Sequence, residues 1–134
     1  MKRIIKFDLP IYYEICYKTK KNKIILISMN WERNAHYHLK NKVKQHYHSL
    51  VYYKIKHLKI DMMKKYKVRY KLFYKNSGCD MMNVVTMIDK FMNDGLQEMA
   101  YIENDNVKFY KKCEIEVAER DKENPRVEVE IEEI

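Results

Sequence analysis

The stretch Cys79–Val107, CDMMNVVTMIDKFMNDGLQEMAYIENDNV, decides how the rest of this chain is read. Taken as a helix from Asn83 to about Met99, it gathers Val84, Met87, Ile88, Phe91 and Met92 on one side and Asn83, Thr86, Asp89, Lys90 and Asn93 on the other. Asp80 stands just ahead as an N-cap, its carboxylate placed to accept the free N–H groups of the first turn. Glu103 and Asp105 follow the helix. A helix that reverses into a strand can bring such a carboxylate back toward Asp80, and grouped carboxylates beside a lysine suit a hard cation and phosphate-ester chemistry.

Immediately upstream, Lys65–Lys75 alternates Tyr66, Val68, Tyr70, Leu72 and Tyr74 with Lys67, Arg69, Lys71, Phe73 and Lys75. That period of two predicts a strand with one apolar or aromatic face and one basic face, delivering the chain to Asp80. The basic face reads either as a track for a phosphate backbone or as the solvent side of an edge strand, where lysine discourages aggregation. Farther back, Lys2–Leu9 reads as a first strand stopped at Pro10. IYYEICY (Ile11–Tyr17) and KIILIS (Lys23–Ser28) read as a hairpin with a lysine-loaded tip.

Between hairpin and strand, Asn30 to about Ser49 predicts one long helix, capped by Ser28 or Asn30, with Trp31, Ala35, Leu39, Val43, Tyr47 and Leu50 at spacings of three and four. Its other faces carry Arg33, Lys40, Lys42, Lys44, His36, His38, His46 and His48. Residues two apart on a helix point away from each other, so the two His-x-His pairs are expected to be exposed or DNA-facing rather than zinc ligands, and Trp31 is expected to anchor the core. Val51–Met63 fits a helix or a strand equally. Downstream, Asn106–Val117 predicts a strand with Val107, Phe109, Ile115 and Val117 inward, and Val127–Ile134 a last strand whose Glu128, Glu130, Glu132 and Glu133 form a solvated acidic stripe.

Together these elements predict a single α+β domain over residues 1–134, a mixed β-sheet with one long N-terminal helix and one central helix bearing the site. Only 2 glycines and 2 prolines leave room for long regular elements. The charge is divided: residues 1–79 hold 20 Lys and Arg against 4 Asp and Glu, and residues 80–134 hold 7 against 15. A basic half of that strength points to a polyanion partner, with the acidic half as the place for a metal. Cys16, Cys79 and Cys113 form no Cys-x-x-Cys pair, which argues against a disulfide framework or zinc ribbon and for a reducing cytoplasm. No signal-peptide pattern or membrane-length apolar run is present, and neither a membrane nor a nucleotide cofactor is expected.

Asp80 with Asn83, Lys90, Asp94-Gly95-Leu96, Asn104-Asp105 and Pro125-Arg126-Val127-Glu128-Val129 resembles, in the same order, the motif of RusA-like endodeoxyribonucleases, dimeric Holliday-junction resolvases of phages and prophages. That motif runs Asp-x-Asp-Asn-x-x-Lys, Asp-Ala-Leu, an acidic pair and a proline-led last strand. The likeness covers the C-terminal part of the chain. Asn83 and Lys90 stand one helical turn farther apart than in the motif; about four residues make roughly one full turn, so Lys90 keeps the face of Asn83 and Thr86. Met82 stands where the motif has its second Asp, and Asn104 replaces the first of the acidic pair.

The resemblance implies a homodimer acting on four-way DNA junctions. It implies Asp80, Asp105, Lys90 and Asn83 as catalytic residues, and Asp80 and Asp105, helped by Asp89 or Glu103, as ligands of Mg²⁺ or Mn²⁺. Lys90 would hold the phosphate and Asn83 would orient a carboxylate. Lys65, Lys67, Arg69, Lys71, Lys75, Arg33, Lys40 and Lys44 are the expected DNA contacts. Methionine cannot ligate Mg²⁺, so either another carboxylate substitutes or the chain is a DNA-binding protein that no longer cuts. A third reading is a dimeric interaction protein that docks a partner on its acidic half.

Overall fold

Residues 3–134 are described by a computed structural model; Lys2, the expected start of the first strand, lies outside the described residues. The four-stranded sheet is built from β1 (Ile4–Pro10), β4 (Tyr66–Tyr74), β5 (Tyr110–Arg120) and β6 (Arg126–Glu133), in the order β1-β6-β4-β5. β6 runs antiparallel to β1 and β4, whereas β4 and β5 are parallel. A parallel pair needs a crossover, which α3 (Met81–Glu98) supplies, so the central helix lies between two neighbouring strands. A separate hairpin pairs β2 (Tyr12–Ile15) with β3 (Lys23–Leu26), as the two β-rich runs predict. The chain is a single α+β domain with a mixed sheet. Among the described residues no helix is long and apolar enough to cross a membrane.

The inner face of the sheet is apolar by alternation. Tyr66, Val68, Tyr70 and Leu72 of β4 are buried with Val127, Val129 and Ile131 of β6 and Ile5 and Leu9 of β1. α3 lays Val84, Met87, Ile88, Phe91, Met92 and Leu96 into this core, the side its periodicity selects. Asp80 caps it, accepting from the Asn83 N–H at 3.3 Å. α2 (Tyr37–Ile55) covers α3 and β1 through Val43, Tyr47, Val51 and Ile55, and the Tyr47 hydroxyl donates to the carbonyl of Pro10.

The expected long N-terminal helix is broken. α1 (Met29–Asn34) ends at Ala35, whose N–H bonds the Trp31 carbonyl while its backbone turns extended. His36 is extended too, and its side chain accepts from the His38 N–H at 3.2 Å, capping a new helix. Polar groups able to serve the backbone at Ser28 and His36 thus start two helices where the apolar spacing suggested one. α2 then runs past Ser49 to Ile55, settling the ambiguous segment as helix followed by the turn Lys56–Leu58. Trp31 is half-buried against the core, as expected.

β5 also departs from expectation. Val107 and Val117, expected inward, are 87% and 51% exposed. Asn104 and Asn106 each accept, side chain to backbone, from the N–H two residues on, so the segment before β5 is a run of turns rather than strand. β4, read as a possible edge strand, is interior.

The end of α3 exchanges two usual preferences. Ala100 holds φ 61°, a left-handed position that favours glycine, and the Tyr101 N–H closes onto the Leu96 carbonyl at 2.9 Å. Gly95 meanwhile sits inside the helix with no positive φ, and a Cβ there would meet His48 Cα at an ordinary 3.5 Å. Gly95→Ala and Ala100→Gly are each expected to stabilise the fold by roughly 0.5–1 kcal/mol. Urea denaturation checks both, with m expected to stay unchanged.

Candidate functional site

The outer face of the sheet is where the basic side of β4 points, and it is not free. Lys6, Glu130, Arg69, Glu114 and Lys112 form a row of alternating charge across all four strands, with contacts of 3.6, 3.3, 3.1 and 2.8 Å. Lys67 pairs with Glu132 at 3.1 Å and Lys71 with Glu116 at 3.8 Å. The acidic alternation of β5 and β6 therefore answers the basic alternation of β4 strand for strand. Of the expected DNA contacts on this strand, Lys67, Arg69 and Lys71 are committed to carboxylates. Lys65 is exposed, and Lys75 lies over the Tyr12 ring at 5.7 Å.

The helical side is different. Among the described residues Arg33, Lys42, Lys44 and Lys90 make no ion pair, whereas Lys40 reaches Glu32 at 3.6 Å. The hairpin touches α2 where Tyr13 meets the His46 ring edge-on at 5.2 Å, and its loop carries Lys18, Lys20 and Lys21, all exposed.

The expected metal set does not assemble. Asp80 begins α3 at the end where β4 finishes; Asp105 and Glu103 lie in the turns beyond the other end, and 18 residues of helix span about 27 Å. Asp89 lies partway along and faces the sheet. It accepts from the Tyr70 hydroxyl, from the Tyr110 hydroxyl at 2.8 Å and from Asn93 Nδ2 at 3.0 Å, all on Oδ1, while the Tyr66 hydroxyl donates to Asn93. Burial raises the pKa of Asp89, the three hydrogen bonds oppose the rise, and the Asp105 charge adds to it. Burial likewise raises Tyr66, Tyr70 and Tyr110, Asp89 adding to each. Lys90 faces away from this network, toward α2.

A hard cation needs several oxygens converging on one point. Among the described residues no three His, Cys, Asp or Glu side chains do so, and Oδ1 of Asp80 and of Asp89 is already engaged. As folded, the donor set does not suit Mg²⁺ or Mn²⁺. Asp105 lies near enough to Asp89 for its charge to raise the Asp89 pKa.

The helical period places Asp89 and Asn93 on the polar side of α3, yet Asn93 is buried and Asp89 half-buried. The signal was present in Tyr66, Tyr70 and Tyr110, whose hydroxyls need acceptors when the rings are buried. His48 was expected to be exposed or DNA-facing; it is buried against Gly95 and bonds Glu98 through Nδ1, with its Nε2 buried and unpaired. His36, Tyr37 and His38 gather their rings at the α1–α2 break, centroids 4.0–4.9 Å apart. Compared with known proteins, the chain matches no family model and no curated protein.

Proposed function

We propose that this protein binds DNA, and branched DNA in particular, as the resemblance to RusA-like junction resolvases implies, using the helical side of the domain. One observation carries the reading: Lys67, Arg69 and Lys71 of β4 are paired with glutamates, while Arg33, Lys42, Lys44 and Lys90 of the helices make no ion pair among the described residues. Unpaired cations release counterions from a phosphate backbone, which is the main source of affinity for DNA. Arg33, Lys42 and Lys44, with Lys20 and Lys21 of the hairpin, are the proposed phosphate contacts; Lys42 and Lys44, two apart on α2, lie on different sides of the helix, so the DNA would meet it on both. A homodimer would present two such surfaces to a junction.

Metal-dependent cleavage of the junction is the second reading. The order Asp80, Asn83, Lys90, Asp94, Asp105 favours it, and so does the nearness of Asp105 to Asp89. Incubation with a labelled four-way junction and a matched duplex, in Mg²⁺ or in EDTA, separates the two. Junction binding without nicking supports recognition alone; nicking in Mg²⁺ that Asp105→Asn abolishes supports the nuclease. Arg69→Ala is expected to leave junction affinity within roughly twofold of wild type, because its guanidinium is held by Glu114 and Glu130 rather than free for phosphate. Anisotropy titration checks this, and a large loss would return the sheet face to consideration.

A further inference from the structure

Between α2 and α3 runs a groove of about 340 Å³, within the range of small-ligand sites. Met87 and Phe91, each 5% exposed, form its apolar floor. Lys44 from α2 and Lys90 from α3 line it, and neither has an ion-pair partner among the described residues. At the mouth stands Tyr37, 67% exposed, stacked on His36 at 4.8 Å and lying 4.0 Å from His38. Its ring is held in orientation by these neighbours rather than by the core.

Phosphate-binding cations, an apolar floor and an aromatic shelf are the three parts of a site for an unstacked nucleotide. We infer that the groove between α2 and α3 binds one unpaired nucleotide of a DNA strand, its base against Tyr37 and its phosphate between Lys44 and Lys90. The inference rests on the DNA reading above and deepens it, since a branch point or single-stranded tail is where an unpaired base is offered. Two carboxylates also face the groove. Glu32 is taken up by Lys40, and Asp94 is placed to accept from the exocyclic amine of an adenine, cytosine or guanine, a preference that thymine would not share. Paired bases cannot reach the shelf, because their faces are covered by stacking, so duplex DNA is expected to use the outer lysines alone.

The test compares a blunt duplex with the same duplex carrying a short single-stranded cytosine tail, by fluorescence anisotropy. Wild type is expected to favour the tailed DNA by about tenfold, the worth of one stacked base. Tyr37→Ala is expected to erase that preference, Lys90→Glu to reduce it, and Arg69→Ala to leave it intact. A tail of thymines should be favoured less than one of cytosines. Equal affinity of wild type for tailed and blunt DNA overturns the inference while leaving the DNA reading standing, and so does a preference that survives Tyr37→Ala. Salt-insensitive or undetectable binding of both DNAs overturns the two together; a groove filled by a second copy of the chain, seen as a dimer that Tyr37→Ala dissociates, overturns the inference alone.

Discussion

Asp89→Ala is expected to destabilise the protein by about 3 kcal/mol, because it strips the shared acceptor from the buried hydroxyl of Tyr70 and from Tyr110, and from Asn93 as well. Asp89→Asn keeps an oxygen in the same place and is expected to cost far less, within roughly 1 kcal/mol of wild type at neutral pH. The pair also carries a pH dependence. Burial holds the folded pKa of Asp89 above its unfolded value, so the stability this group contributes is full below the unfolded pKa and is lost as pH rises through the folded one. Glu133 and Asp121 are shifted the other way by Arg3 and by Asn124 and Arg126, and their contribution is lost on acidification. The difference between wild type and Asp89→Asn isolates the first effect: wild type should gain on the variant as pH falls from neutral into the carboxylate range. Urea denaturation at several pH values reads it. A constant difference would mean that Asp89 is not perturbed by its burial.

Reversing three charges on the helical side, Arg33→Glu, Lys42→Glu and Lys44→Glu together, is expected to weaken DNA binding by about a hundredfold at low salt and to flatten its salt dependence, since each lost phosphate contact removes nearly one counterion from the slope. None of the three side chains is buried in the core, so the fold should survive. The parallel experiment on the sheet, Lys67→Glu with Glu132→Lys, exchanges an ion pair in place and is expected to leave DNA affinity alone. Comparable losses from both experiments would show that charge anywhere on the protein, rather than the helical surface, governs binding.

β4 and α3 were legible because each obeys one period over its whole length. Tyr66–Tyr74 alternates and Met81–Glu98 repeats at helical spacing, and in both the apolar side is the buried side. What escaped reading was set by contacts distant in sequence. Nothing local says that β4 lies between two acidic strands, so its basic side chains looked free; the pairing of Lys71 with Glu116, Arg69 with Glu130 and Lys67 with Glu132 exists only once the sheet order is known. The polar side of α3 misled for the same reason, because Asp89 and Asn93 are polar residues buried against tyrosines rather than exposed to water. The break at Ala35 and His36 went unseen because the apolar spacing of Trp31, Ala35, Leu39 and Val43 continues across it without a glycine or proline to mark it.

The carboxylates illustrate the limit of motif order as evidence of geometry. Asp80, Asp94 and Asp105 follow one another in the order of the motif they resemble, yet Asp80 caps one end of a helix of 18 residues and Asp105 belongs to the turns beyond the other. Order along a chain constrains what can meet; the length of the intervening helix decides what does.

The central claim, that the unpaired basic surface of the helices recognises DNA, is met most directly by titrating wild-type protein against a labelled four-way junction and a matched duplex over a salt series in EDTA. The account predicts tighter binding to the junction and an affinity that falls linearly with salt on logarithmic axes, with a slope of several counterions. Binding that ignores salt, or no binding to either DNA, would contradict it.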